Sequence, residues 1–454
     1  FSISFFIMIL LKKIINYVYS IYNEVKHMIT KKELFTLIDE SKDEFLSLGD
    51  KLFHCPELGF KEFPAKKLLV EKFKEYGIDV EAEYFETGFQ VSIGSGFPKI
   101  GLIAELDAII VPEHPEANNP DKCAHACGHS MQCTIMTDAL INLFKSKITE
   151  SLPGTITLFF TPGEEFVDLD YRRKLIKEGK INYLSGKQNM LAVHIFDDYD
   201  VIIHCHAMGE GKDKFNINST LAGFIYKKFN FIGVESHAGA LPHLGKNALN
   251  MFALFQSAMG MLRETYEEDD KVRFHGIVTN GGQTVNSIPS LVTYEAYLRC
   301  ANWEKITKIN HEIEEAAKHT AAALGGTCEI INTNGYLPFI QDRNLSEVAH
   351  QNMLLLTEDK YIGRDEVSIA SGDIGDIACF KPTIQFGYSG ISGRIHGSNF
   401  RIADTTLGYI NPAKVVIGTV YDLLTSPKLV ENIKANYKPS LTFDEYIEYL
   451  KQAK

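Results

Sequence analysis

The chain has 454 residues, 45% hydrophobic and 23% charged, with a net charge of -12, too long for one ordinary core, so two domains or one domain with a large insertion are expected. The acidic balance excludes a nucleic-acid binder, because neutralising phosphates requires clustered Lys and Arg. Eight cysteines, spread from Cys55 to Cys379 without a framework spacing, fit a reducing cytoplasm better than a disulfide scaffold.

At the start, Phe1 to Leu11 is apolar and is followed, not preceded, by Lys12-Lys13. A signal peptide carries its positive charge first, and a spanning helix needs about 20 apolar residues, so no leader and no membrane segment are expected. Helix patterning begins after Met28, and residues 1–28 are expected to be a non-native or disordered extension with Met28 as the true start. Leu34, Leu37, Ile38, Phe45, Leu48 and Leu52 then recur at helical spacing. His54-Cys55-Pro56-Glu57-Leu58-Gly59-Phe60 breaks that helix, and a second starts at Pro64. Val80 to Phe85 and Phe89 to Ile93 read as strands. Ile100 to Leu106 is a near-continuous apolar run ending in Asp107, the pattern of a strand buried on both faces.

A Pro- and Asn-rich loop leads into His125-Ala126-Cys127-Gly128-His129. A thiol and an imidazole two residues apart converge on one metal only if the backbone bends tightly, which Gly128 permits. A helix follows from His129. Gly154 to Thr161 is a strand closed by Pro162-Gly163 ahead of Glu164-Glu165, and the apolar run Leu191 to Phe196 reads as another strand, carrying His194. Strands alternating with helices imply a mainly parallel sheet, whose chemistry gathers beyond the strands' carboxyl ends. Asp107 and Glu164-Glu165 fall there.

From Phe224 to Ile331 the order changes to β-α-β-β-α-β, the split ferredoxin-like unit. Residues 219–331 are therefore expected to be an inserted domain, with 29–218 and 332–454 forming the main one. The α/β pattern resumes with a strand at Thr383 to Tyr388, and His396 follows in a Gly-rich loop before a helix at Asn411-Pro412. Asp107, Cys127, His129, Glu164, Glu165, His194 and His396 together supply ligands for a two-metal hydrolytic centre with one carboxylate spare for protons. His204 and His206, flanking Cys205, mimic a metal motif but are read as structural, because the sheet already supplies a full set.

The segments His54 to Phe60, His125 to His129, Pro162 to Glu165, Val193-His194, Ser236-His237-Ala238-Gly239-Ala240-Leu241-Pro242-His243 and Val285-Asn286-Ser287-Ile288-Pro289 resemble, in order, the dinuclear metallo-amidohydrolases related to aminoacylase and carboxypeptidase G. The likeness is to the cysteine-containing subgroup with hippurate hydrolase, auxin-conjugate hydrolase and aminobenzoyl-glutamate hydrolase, and it covers about residues 30 to 425. The resemblance implies a zinc-peptidase-like α/β domain, with helices on both faces of a mainly parallel sheet, interrupted by a lid that often forms a dimer interface.

It makes Cys127, His129, Glu165, His194 and His396 the ligands of two divalent metal ions (zinc, manganese or cobalt), with Cys127 bridging. Glu164 becomes the general acid/base and Asp107 the residue that orients a ligand. From the lid, His237 would reach the scissile carbonyl, with His243 and His275 as nearby alternatives. Asn286 and Arg299 would hold a substrate carboxylate, although Arg299 also suits a strand-surface ion pair. The implied activity is hydrolysis of an N-acyl amino acid or similar carboxylate-bearing conjugate by a cytoplasmic enzyme, with no nucleic-acid or membrane partner. The alternatives are a dipeptidase of the same fold and a catalytically silent conjugate-binding relative. Ser130, Gln132, Gly163 and Phe166 depart from the subgroup's usual Asp, His, Ala and Gly, which bears on substrate preference.

Overall fold

A computed structural model describes residues 29–451, so the expectation for the segment ahead of Met28 lies outside the described residues. The core is an eight-stranded sheet in the order Ala82–Tyr84, Gly88–Ser95, Gly154–Thr161, Lys99–Glu105, Val201–Ala207, Thr383–Tyr388, Phe215–Ile217, Ile362–Arg364. Its four central strands are mutually parallel, and antiparallel partners flank them. Alternate side chains of one strand point to opposite faces. Leu102, Leu158 and Ile203 accordingly join the cluster under the helices Lys31–Phe53, His129–Lys145 and Asn411–Thr425. Ile103, Phe159 and Ile202 join a second cluster, with the helices Gly186–Ala192 and Phe443–Lys451. Burial on both faces explains why these strands read as unbroken apolar runs. Among the described residues no helix is long and apolar enough to cross a membrane.

One core carboxylate gives the fold a pH signature. Asp138, inside the helix His129–Lys145, is 2% exposed and accepts hydrogen bonds from Ser41 Oγ (3.1 Å) and Asn142 Nδ2 (2.6 Å). Burial outweighs both bonds and pushes its pKa from 3.8 up to about 8. The folded chain keeps a proton that the unfolded chain releases, so this contribution to stability is full below the unfolded pKa and is lost as pH rises through about 8. Asp138→Asn keeps an acceptor oxygen and carries no charge. Its melting temperature should fall less than that of the wild type between about pH 4 and about pH 8, by a few degrees. Parallel curves in a thermal melt series would remove Asp138 from this role.

A second, antiparallel sheet has the order Arg273–Asn280, Leu291–Cys300, Gly223–Ile232, Thr327–Asn334. With the helices Ala248–Leu262 and Trp303–Ala323 it encloses its own core, including Phe229, Phe255, Val292, Leu298 and Ile313. This is the inserted ferredoxin-like α+β unit.

One element differs from the sequence expectation. Leu191 to Phe196 is not a strand; Leu191 lies in the last turn of the helix Gly186–Ala192. The amide of His194 donates to Leu191 O and that of Ile195 to Met190 O, the paired bonds of a helix C-terminal cap, with His194 at the left-handed position (φ 64°). The neighbouring strand is Val201–Ala207, the segment containing His204 and His206.

Candidate metal centre

The carboxyl ends of the strands Lys99–Glu105, Gly154–Thr161 and Val201–Ala207 contribute to one cluster. Gly128 adopts φ 95°, and a Cβ there would stand 2.6 Å from Cβ of Ala207. The loop carrying Cys127 and His129 can therefore press directly against the end of the strand carrying His206. The amide of His396 donates to Ala126 O (2.8 Å), which ties the loop of His396 to the same place. The ligand atoms of Cys127, His129 and His206 lie within 4.8 Å of one another, as do those of Cys127, Glu165 and His396. Cys127 Sγ is 3.4 Å from His206 Nε2 and 3.3 Å from His396 Nε2, and His396 Nε2 is 3.0 Å from Glu165 Oε1.

His194 is not brought to this cluster. Its side chain is 54% exposed, bonds Asp197 Oδ2 at 2.8 Å and stacks on Phe443. The imidazole that approaches Cys127 instead is that of His206. The clue in the sequence is the alternation in Ile203-His204-Cys205-His206: His206 points off the strand in the opposite sense from Cys205 and lies at its C-terminal end.

Asp107 stands behind His129. His129 Nδ1 lies 2.8 Å from Asp107 O and 3.3 Å from its Oδ1. A carbonyl can only accept, so Nδ1 carries a proton and Nε2 is the nitrogen turned toward the cluster. Nε2 of His129 and Oε1 of Glu165 are buried without a hydrogen bond, although Glu105 Oε2 and His396 Nε2 come within 3.1 and 3.0 Å of them. Close approach without hydrogen-bond alignment is what a cation between the groups would produce. The donor set of a sulfur, imidazoles and a carboxylate also fits a divalent metal.

The charges agree. Burial opposes ionisation of Cys127, and Glu165 adds to that, yet His129, His206 and His396 bring its pKa from 9.0 down to about 6. Burial likewise raises Glu165, but His396 overrides it and the carboxyl falls to about 2. Glu164 goes the other way: burial and then Glu105 and Glu165 hold its pKa well above 4.5. Burial and neighbouring charge thus push the two adjacent glutamates in opposite directions. Glu164, Glu165, Cys127, His206 and His396 line a cavity of about 440 Å³ together with Arg299, Tyr297, Phe166 and Phe224. Arg299 lies over the rings of Phe224 and Tyr297 and donates to Ile369 O, while its Nε has no partner. His237 and Asn286 are exposed and outside the cavity: Nδ1 of His237 accepts from the amides of Gly239 and Ala240, and Asn286 O accepts from Ala238.

The structure adds one group. Lys187, fully buried, joins Glu105 (2.6 Å) and Asp373 behind the cluster, and Glu105 also accepts from Gln132 Nε2 (2.9 Å). Gln132, a departure from the subgroup, is thus a partner of Glu105. No local pattern distinguishes Lys187 from a solvent-facing lysine of a short helix.

A model of peptidase family M20/M25/M40 matches residues 101–409. The chain belongs to that family. As a member it is a hydrolase of the metallopeptidase and amidohydrolase type. It is 25% identical over 333 residues to a p-aminobenzoyl-glutamate hydrolase polypeptide of Escherichia coli K12, covering 70% of this chain and 65% of that protein, just under two thirds of its length. It is 27% identical over 326 residues to the hippurate hydrolase of Campylobacter jejuni, covering 68% of this chain and 79% of that one. Among solved structures, the Bacillus subtilis YXEP protein, described as a dinuclear metal binding peptidase from the M20 family, superposes with a TM-score of 0.61 at 16% identity. That match covers 86% of this chain and 99% of the other. The cysteine-containing subgroup seen in the motifs is the one these relatives represent.

Proposed function

We propose that this family member hydrolyses the amide bond of an N-acyl amino acid or similar carboxylate-bearing conjugate. Two divalent cations would be held by Cys127, His129 and His206 on one side and by Cys127, Glu165 and His396 on the other, with His206 taking the place that the motif match gives to His194. The thiolate and imidazoles favour zinc, and the carboxylate also admits manganese or cobalt. When bound, the cations acidify a water molecule and polarise the scissile carbonyl.

The chain's own residues do the rest. Glu164 takes a proton from the attacking water and returns it to the departing amine, which requires it to stand beside the ligands without being one. Asp107 fixes the ring of His129. Arg299, cationic and lining the cavity, would receive the substrate carboxylate. His237 and Asn286 would join only through movement of the inserted unit as a lid or through a second copy, so a homodimer through that unit is part of the proposal, as is a cytoplasmic location. The observation that carries the reading is the opposite environment of Glu164 and Glu165 at one strand end.

A hydrolysis screen over hippurate, p-aminobenzoyl-glutamate, other acyl-amino acids and dipeptides tests it. Metal-loaded protein should cleave at least one acyl-amino acid, lose the activity to a chelator and regain it on adding back zinc, manganese or cobalt. Conjugate binding without turnover by any metal form would replace the hydrolase with a silent binder, and cleavage of dipeptides alone would make it a dipeptidase.

A further inference from the structure

Two features play no part in this reading: the segment Leu58-Gly59-Phe60, which reaches no ligand, and Arg172, a fully buried guanidinium on the helix Leu169–Lys177. They meet beneath the Glu164-Glu165 turn. Arg172 Nη1 donates to Gly163 O (3.0 Å) and Leu184 O (2.8 Å), and Nη2 donates to Glu165 O (2.5 Å). The guanidinium lies 5.4 Å from the centre of the Phe60 ring, and a Cβ at Gly59 would stand 2.5 Å from both Arg172 Nη2 and Gly163 Cα. Gly59 and Phe60 therefore form the socket for this one side chain.

The rest of the turn is held in the same way. Gly163 N donates to Glu62 Oε1 (2.9 Å), Glu165 N donates to Asp107 Oδ2 (2.8 Å), and the hydroxyl of Tyr336 donates to Glu164 O. Of these side chains Arg172 alone holds two of the turn's carbonyls, and it lies outside the residues that line the cavity.

We propose that Arg172 is a positioning residue: its planar fork sets the turn so that Glu165 faces His396 while Glu164 faces the cavity. The proposal rests on the hydrolase reading for its kinetic part only. Burying a cation costs desolvation, which the three hydrogen bonds to carbonyls offset only in this arrangement of the turn. A lysine offers a point charge and cannot span three carbonyls in one plane.

The test compares Arg172→Lys, Gly59→Ala and, as a control for general destabilisation, the core variant Phe73→Leu. Measured are kcat and KM on the best substrate of the screen, zinc affinity by competition with a chromogenic chelator, and melting temperature. Arg172→Lys and Gly59→Ala should each lower kcat and zinc affinity about 10- to 100-fold with KM changed less than about 3-fold. Phe73→Leu should lose melting temperature and change neither. Retention of kcat and zinc affinity within about 3-fold by Arg172→Lys, or losses no larger than those of Phe73→Leu, would overturn the proposal. If Arg172→Lys does not fold, Gly59→Ala decides on the same thresholds. If the wild type hydrolyses nothing, the hydrolase reading fails, and zinc affinity alone decides the role of Arg172.

Discussion

Glu164→Gln is expected to bind metal as the wild type does and to lose turnover by about 10²- to 10⁴-fold, the usual contribution of a positioned acid/base. Gln keeps the shape and hydrogen-bonding capacity of the side chain but can neither accept the water proton nor release one to the amine. Glu164 is buried, and burial with Glu105 and Glu165 beside it raises its pKa. A proton held there is available to a leaving group. Metal content per chain, measured by plasma emission, and kcat should separate cleanly. A variant of unchanged activity would exclude Glu164, and one that loses metal would make it a ligand.

The second large effect divides two histidines. His206→Ala should lose metal affinity and activity by at least about 10²-fold, more than a supporting residue would cost. His194→Ala should stay within about 3-fold of the wild type in both. His206 Nε2 lies 3.4 Å from Cys127 Sγ, whereas His194 bonds Asp197 at a half-exposed helix end. Titration of metal into each variant followed calorimetrically decides the matter. A metal-deficient His194→Ala beside a normal His206→Ala would return the ligand role to His194.

These two histidines also mark where the sequence is legible and where it is not. Gly154–Thr161 runs into Pro162-Gly163-Glu164-Glu165 with a clear stop, and Lys99–Glu105 is buried on both faces, so both strands and the carboxylates after them can be read directly. The run Leu191 to Phe196 has the same apolar density, but half of it is the end of a helix and its cap. A short apolar run is ambiguous between helix and strand, and the motif match at Val193-His194 reinforces the wrong choice. His206 is easily discounted because a full ligand set can be counted without it. Lys187, Glu105 and Arg172 do not read as a site at all, because a charged residue in a short element gives no sign of being buried until its partners from distant segments are known.

The Lys187, Glu105 and Asp373 triad bears on the order in which the chain acquires its structure. Two of its members precede the ferredoxin-like unit in sequence and the third follows it, and the strand Thr383–Tyr388 must slot between Val201–Ala207 and Phe215–Ile217. A nascent chain emerging from the ribosome therefore completes the contiguous inserted unit first, while a lysine destined for the interior still waits in water for Asp373. The catalytic half becomes native only after synthesis has passed the insertion, and a truncated product ending before Asp373 would carry into quality control an interior lysine that keeps Glu105 but lacks its second carboxylate partner.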